Sequence, residues 1–417
     1  MTGTTDERIA RDGANAQGRA VGRCPVIHTD YRVERPAFET WQLLNEDREE
    51  APAAWNDSTS AGFWVVNRYD DVREALGMHE VFTNDVTSAF ITEQAAPLLP
   101  QNLNQPEHAD LRRVLNPYFS PAAVKRLSGF ARERARELVD QLEGAKRIDI
   151  TEGFAMQYPT DLFLALMGLP VEDGEWLLPL VEDMFLGFFN DDDESVRKAV
   201  AATTAIDEYF EKAVDDRVTN PRDPAEDLIS RLLVSKIRDQ EISRRDIVVI
   251  CTTLMAAGLD TTRSALGYVF HHLAGDEELR HHLTAHPEDW PRAIEESIRL
   301  YSLLIQDGRK VGEDITWRGM EMKKGDMVWL GLAAANRDPR KFPDPDRFDM
   351  DRENLSHHMG FGIGHHRCIG MHLARAEMVI ALEEWHARIP DYRIAPGQEL
   401  RERGGQLRLQ SLVLEWD

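Results

Sequence analysis

Cys368 lies in the run Phe361-Gly362-Ile363-Gly364-His365-His366-Arg367-Cys368-Ile369-Gly370, a glycine-punctuated loop just before a predicted helix. The glycines let the backbone turn tightly and approach a flat ligand closely, and a helix starting near Ile369 aims its amides and positive dipole end at the sulfur. Both effects favour the thiolate. A lone cysteine beside a helix cap is most often structural. This spacing of aromatic, glycine, cysteine and glycine instead suits a single thiolate ligand to heme iron, which pushes electron density toward dioxygen and helps cleave its O–O bond.

Further groups have chemically suggestive spacing. Ala257-Gly258-Leu259-Asp260-Thr261-Thr262 places small residues beside an acid and two hydroxyls. Glycine weakens a helix and threonine can bond back to the previous turn, so a local opening able to hold dioxygen and water is expected. Read alone, the same segment is also an ordinary threonine-rich turn. Glu296 and Arg299 lie three apart, close enough to pair on a helix. His108 and Arg112, four apart, can reach one anion together or form a plain surface pair.

Phe361, Gly364, Cys368 and Gly370 fill every fixed position of Phe-x-x-Gly-x-x-x-Cys-x-Gly, and the chain thereby resembles the cytochrome P-450 family. The resemblance implies that Cys368 ligates the iron of heme b (iron protoporphyrin IX). The Ala257–Thr262 segment is similar to the family's Ala-Gly-x-Asp/Glu-Thr motif, which implies that Asp260 feeds protons and Thr261 hydrogen-bonds the oxygen, with Thr262 as a surrogate hydroxyl. Glu296 and Arg299 match Glu-x-x-Arg, with Arg347 as the third member of a structural network beneath the heme. His108, Arg112, Arg309 and His366 match the family's propionate contacts, and four donors suit two carboxylates. One departure stands out. Similar bacterial enzymes hold the acid with basic side chains from the preceding helical region, yet Val171 to Val196 contains no Lys or Arg, so Asp260 is expected to be held differently.

Segments such as Asp307-Gly308-Arg309, His372-Leu373-Ala374-Arg375 and Arg388 to Gly397 are similar to the camphor 5-monooxygenase branch. In that branch a tyrosine grips the substrate carbonyl; by ungapped comparison the position here is Ala96, so that donor is absent. Leu98, Thr253, Ala256 and Ile305 would line a mostly apolar pocket with Ala96, although each also suits plain core packing. A small apolar substrate, a compact terpenoid or norisoprenoid, is implied. The chain shows no flavin or nicotinamide fingerprint, and the branch uses a [2Fe-2S] ferredoxin fed by an NADH-dependent reductase. Arg112, Arg113, Arg367 and Arg375 would form the basic patch for that acidic partner. The rival functions are a peroxide-driven peroxygenase, which would dispense with Asp260 and Thr261, and a non-enzymatic heme-thiolate ligand sensor.

The elements that must position these groups are chiefly helical. Apolar periodicity and capping predict helices over Pro106–Tyr118, Pro121–Leu142, Ile242–Leu273, Pro287–Tyr301 and Ile369–Arg388. Strand patterns cover Gly62–Asn67, Met327–Leu332 and Leu407–Glu415. A mainly α fold with small sheets follows, a single large domain over residues 31–417 after a loose arm over 1–30. The resemblance implies that heme lies between the long Ile242–Leu273 helix and the cysteine loop. The 417 residues carry a formal charge of -24, which argues against nucleic acid as a partner. Three widely separated cysteines give no disulfide framework, and the polar N-terminus gives no signal or membrane segment, so a cytoplasmic protein is expected.

Overall fold

The computed structural model describes residues 9–10, 24–91, 97–189 and 192–417. The site rests on α1 (Glu107–Leu115), α2 (Gly174–Phe189), α3 (Arg244–Gly275), α4 (Trp290–Leu300) and α5 (Met371–His386). Ser243 caps α3 by accepting from the Asp246 amide, and most of the helix is buried, as its apolar residues on nearly every face require. Expected helix ends shift by a few residues. Asn116–Phe119 turns as a 3-10 segment after α1, Pro287–Asp289 does so before α4, and α5 begins only at Met371 because Cys368 to Gly370 occupy the preceding turn.

A mixed seven-stranded sheet flanks the helices. Its strands are β1 (Ile9–Ala10), β2 (Val26–Ile27), β3 (Ala53–Asn56), β4 (Phe63–Val66), β5 (Phe82–Thr83), β6 (Asp307–Val311) and β7 (Met327–Leu330), in the order β1-β2-β3-β4-β7-β6-β5. Every residue of β4 and β7 is buried, as befits strands covered on both faces, and they pair in parallel with Val328 opposite Trp64. Ordered structure reaches into the segment expected to be a loose arm. Val26 and Ile27 are buried and add β2 beside β3, with β1 paired to β2.

The strand expected over Leu407–Glu415 is divided. Arg408–Leu409 (β9) forms a hairpin with Arg401–Arg403 (β8), whereas Val413–Glu415 joins a different sheet with Arg147–Asp149. Asp149 causes the break: its carboxylate accepts from the Ser411 hydroxyl and the Leu412 amide. Among the described residues no helix is long and apolar enough to cross a membrane.

Candidate active site

The cysteine loop is held by its own backbone. The Cys368 amide donates to the Phe361 carbonyl at 2.8 Å, and Gly362 and Gly364 adopt φ of 64° and 71°, a left-handed conformation that glycine enters without strain. Cys368 is exposed, yet protein crowds it closely, as for a side chain facing an internal cleft. Burial pushes its thiol up, while the Gly370 amide and the guanidiniums of Arg112, Arg375 and Arg367 pull it down; burial prevails. A bound metal would favour the thiolate by displacing the proton.

Along α3 a stripe at four-residue spacing opens in the same way: Ala257 is exposed, Thr261 and Ala265 are partly exposed, and the buried Thr253 continues the row. The Thr261 hydroxyl donates to the Ala257 carbonyl at 2.7 Å, the back-bond expected of it, but α3 continues unbroken through this turn. Ile369, next to Cys368, packs on an apolar cluster to which both α1, through Leu111 and Leu115, and α3, through Leu254, Ala256 and Leu259, contribute. Thr262 faces elsewhere. It is buried and bonds Glu377 on α5.

Asp260 is 4% exposed and points away from the stripe, about 100° round the helix from Thr261. Its carboxylate accepts from Arg403, Gln406 and Arg408, each at 2.6 Å. Burial acts to raise its pKa, but Arg403 and Arg408 overcome this and hold it at about 2. The missing basic partners thus come from the β8–β9 hairpin, while α2 supplies an acid, Glu182, 3.2 Å from Arg408.

The four expected carboxylate donors divide into two pairs. The rings of His108 and His366 lie 3.8 Å apart, and His108 Nε2 is buried without a hydrogen-bond partner. Burial, then Arg112 and His365, lowers the His108 pKa to about 4; burial, then His108 and Arg309, lowers that of His366 to about 2. Arg112 bonds Asn116 Oδ1 at 2.9 Å and the Arg367 carbonyl at 3.0 Å, while Arg309 is buried and paired with Asp307. This set of nitrogen donors, with the orphaned His108 Nε2 among them and a cysteine in an internal cleft, fits a flat group carrying two carboxylates, whose charge would in turn favour protonation of the histidines.

Beneath the loop, Glu296 and Arg299 are fully buried and joined by two 2.7 Å bonds. The expected third member differs. Arg347 is exposed and offers Arg299 only its carbonyl at 3.3 Å, whereas the Arg352 side chain reaches Glu296 at 3.0 Å. The short Phe342–Phe348 segment is held by its carbonyls, so a guanidinium five residues further on takes the role. Arg375, expected in the basic patch, is committed to Glu295 and stacks over Phe361 at 4.6 Å; Arg113 is 75% exposed although it pairs with Asp110.

Of the expected pocket residues, Ala96 lies outside the described residues. Leu98 is half-buried, and Thr253 and Ala256 lie on or beside the α3 stripe. Ile305 is fully enclosed in the main core, which fits packing rather than the wall of an open cleft. Sequence reasoning missed Arg352, Glu182, Glu377 and the hairpin residues Arg403, Gln406 and Arg408. Only the Gly404-Gly405 turn between Arg403 and Gln406 carries any local signal, and it does not point to Asp260.

The sequence profile described as Cytochrome P-450 matches residues 173–286 and 291–385. "Probable cytochrome P-450 127A1" of Sinorhizobium fredii is 31% identical over 87% of this chain and 85% of that protein. "Mycinamicin IV hydroxylase/epoxidase" of Micromonospora griseorubida is 32% identical over 82% and 86%. The crystal structure of CYP101J2 superposes over 100% of both chains with a TM-score of 0.84 at 29% identity. That of CYP109E1 from Bacillus megaterium in complex with testosterone covers 91% of this chain and 98% of that chain, with a TM-score of 0.82. Fold and site are those of a heme-thiolate monooxygenase, and the chain belongs to the cytochrome P-450 family, with heme b as its cofactor.

Proposed function

We propose that this monooxygenase hydroxylates a small apolar substrate of the terpenoid or norisoprenoid class in the cytoplasm, using dioxygen and electrons from a [2Fe-2S] ferredoxin and an NADH-dependent reductase. The observation that carries the substrate class is the α3 stripe: Ala257 and Ala265 flank Thr261, and the hydroxyl of the buried Thr253 is turned to the Val249 carbonyl, leaving Thr261 as the accessible hydroxyl on an otherwise small, apolar wall. Shape and burial would then select the substrate.

Heme b supplies the activation of dioxygen and the insertion of one oxygen atom into a C–H bond. Cys368 would hold it from the loop side, with His108, Arg112, Arg309 and His366 at its carboxylates. The protein's own contribution begins with Thr261, whose hydroxyl is directed by the Ala257 carbonyl and keeps its lone pairs for a further donor. Asp260 is the carboxylate next to it in the chain and would pass protons from the hairpin side. Arg367 beside Cys368 and the exposed Arg113 on α1 would offer positive charge to an acidic electron donor in a protein whose net charge is -24.

The test is a titration of the heme-loaded protein with terpenoids and norisoprenoids, camphor included, following the low-spin to high-spin shift. Product formation is then measured with NADH, a reductase and a ferredoxin. A shift with compact apolar ligands and NADH-dependent hydroxylated product is expected. Response only to macrolide- or steroid-sized ligands would sink the substrate class, and turnover with peroxide but not with the ferredoxin system would sink the electron donor.

A further inference from the structure

The surroundings of Asp260 form a connected set of charges that opens to solvent at Glu182 and Glu152. Asp260 Oδ1 accepts from Arg408, and Oδ2 accepts from Arg403 and Gln406. The Arg408 nitrogen that bonds Asp260 lies 3.2 Å from Glu182 Oε1 on α2, and Glu182 also accepts from Arg263 at 2.6 Å. Arg263, buried on α3, completes the set through Glu152. Acids and guanidiniums alternate across α3, α2, the β8–β9 hairpin and the Ile150–Gly153 turn. Behind the hairpin, Glu402 is buried against the Tyr268 hydroxyl, with no hydrogen bond to Asp260.

We propose that Arg403, Gln406 and Arg408 are positioning residues that restrain the Asp260 carboxylate, and that Glu182 competes with Asp260 for Arg408, so that the share of Arg408 taken by Glu182 sets how firmly Asp260 is held. The inference rests on Asp260 being the proton-relay acid. A relay is most efficient when its pKa lies near the working pH, and two guanidiniums keep this carboxylate far below it. Weakening either contact brings Asp260 nearer to that range. Removing Glu182 leaves Arg408 wholly to Asp260 and does the reverse. Opposite effects from the two partners of one arginine are not expected of residues that merely brace the fold.

The experiment compares the heme-loaded protein with Arg403→Ala/Arg408→Ala, Arg408→Lys, Glu182→Gln and Asp260→Asn. Folding and heme ligation are checked by the reduced carbon monoxide spectrum. The first readout, independent of turnover, is the infrared carboxylic acid band assigned to Asp260 by its loss when Asp260→Asn is added to the double alanine variant. In the parent it is absent down to about pH 4, and in the double alanine variant it appears at markedly higher pH, because burial then raises the carboxyl against Gln406 and the more distant Arg263 alone. The second is the solvent deuterium effect on NADH consumption. It should fall about twofold in the double variant, return with Arg408→Lys and rise in Glu182→Gln.

Unchanged band and isotope effect in the arginine variants, with Asp260→Asn altering turnover, would overturn the proposal and leave the relay standing. A parent-like isotope effect in Asp260→Asn would remove the relay itself, and the proposal with it. Should the double variant fail to fold, Arg408→Lys and Glu182→Gln decide: identical isotope effects in Glu182→Gln and the parent overturn the competition for Arg408.

Discussion

Arg352 and Arg347 differ at the residue scale in a way that stability can read. Arg352 is nearly buried on Glu296, whereas Arg347 is exposed and contributes a backbone carbonyl that substitution leaves in place. Arg352→Ala should cost about 3 kcal/mol in urea unfolding, because it strips a cation from a buried carboxylate. Arg347→Ala should stay within about 0.5 kcal/mol of the parent. Glu377 makes the opposite case, a buried acid bonded by the Thr262 hydroxyl. Burial pushes its carboxyl up to about 8 from a usual 4.5. Between those values the folded state keeps a proton that the unfolded chain has lost, so stability falls as pH rises through this window and levels off above it. Glu377→Gln should remove that fall and stabilise by about 3 kcal/mol at pH 7, seen as a flatter dependence of Tm on pH between 5 and 8. A steeper dependence in the variant would refute the assignment. At this scale the Glu296–Arg299 pair was legible, since residues three apart on a helix meet whatever surrounds them. Arg352 was not, because only the folding of the Phe342–Phe348 segment decides which arginine points inward.

Elements bring the loop, the acid and the donors together, and β6 shows how tightly. A Cβ built on Gly308 would stand 2.6 Å from the Ser88 backbone, so the strand carrying Arg309 passes the neighbouring chain where no side chain fits. Gly308→Ala should destabilise the protein by about 2 kcal/mol, since backbone rather than a flexible side chain must yield, and should weaken heme retention by displacing Arg309. Denaturant midpoint and heme transfer to apomyoglobin read the two effects separately. The principal helices were legible from apolar periodicity and capping, α3 to within a few residues. The Leu407–Glu415 strand was not, because its uniform β pattern hides the point where Asp149, far away in sequence, captures the chain and turns it into another sheet.

The whole molecule couples heme to stability and charge to partner choice. Heme, which Cys368 and the His108–His366 group are proposed to hold, binds only the folded chain, so removing it should lower Tm, and adding it back should restore Tm in a concentration-dependent way. Cys368→Ser should abolish the thiolate carbon monoxide spectrum. Arg113, exposed on α1, should matter to docking: Arg113→Glu should slow reduction by an acidic ferredoxin, most at low salt, and leave the substrate-induced spin shift intact. The sequence by itself determined the class, because the cysteine loop, the Ala-Gly-Leu-Asp-Thr turn and the Glu-Ser-Ile-Arg pair each complete their signature within a few consecutive residues. It also determined that Asp260 would need an unusual partner, since 171–196 holds no cation. Only the tertiary structure decided that the partner is the hairpin more than 140 residues onward, and that α2 answers with Glu182. The physical reason is that ion pairs between distant elements are set by how the elements pack, and packing leaves no fixed spacing in the chain.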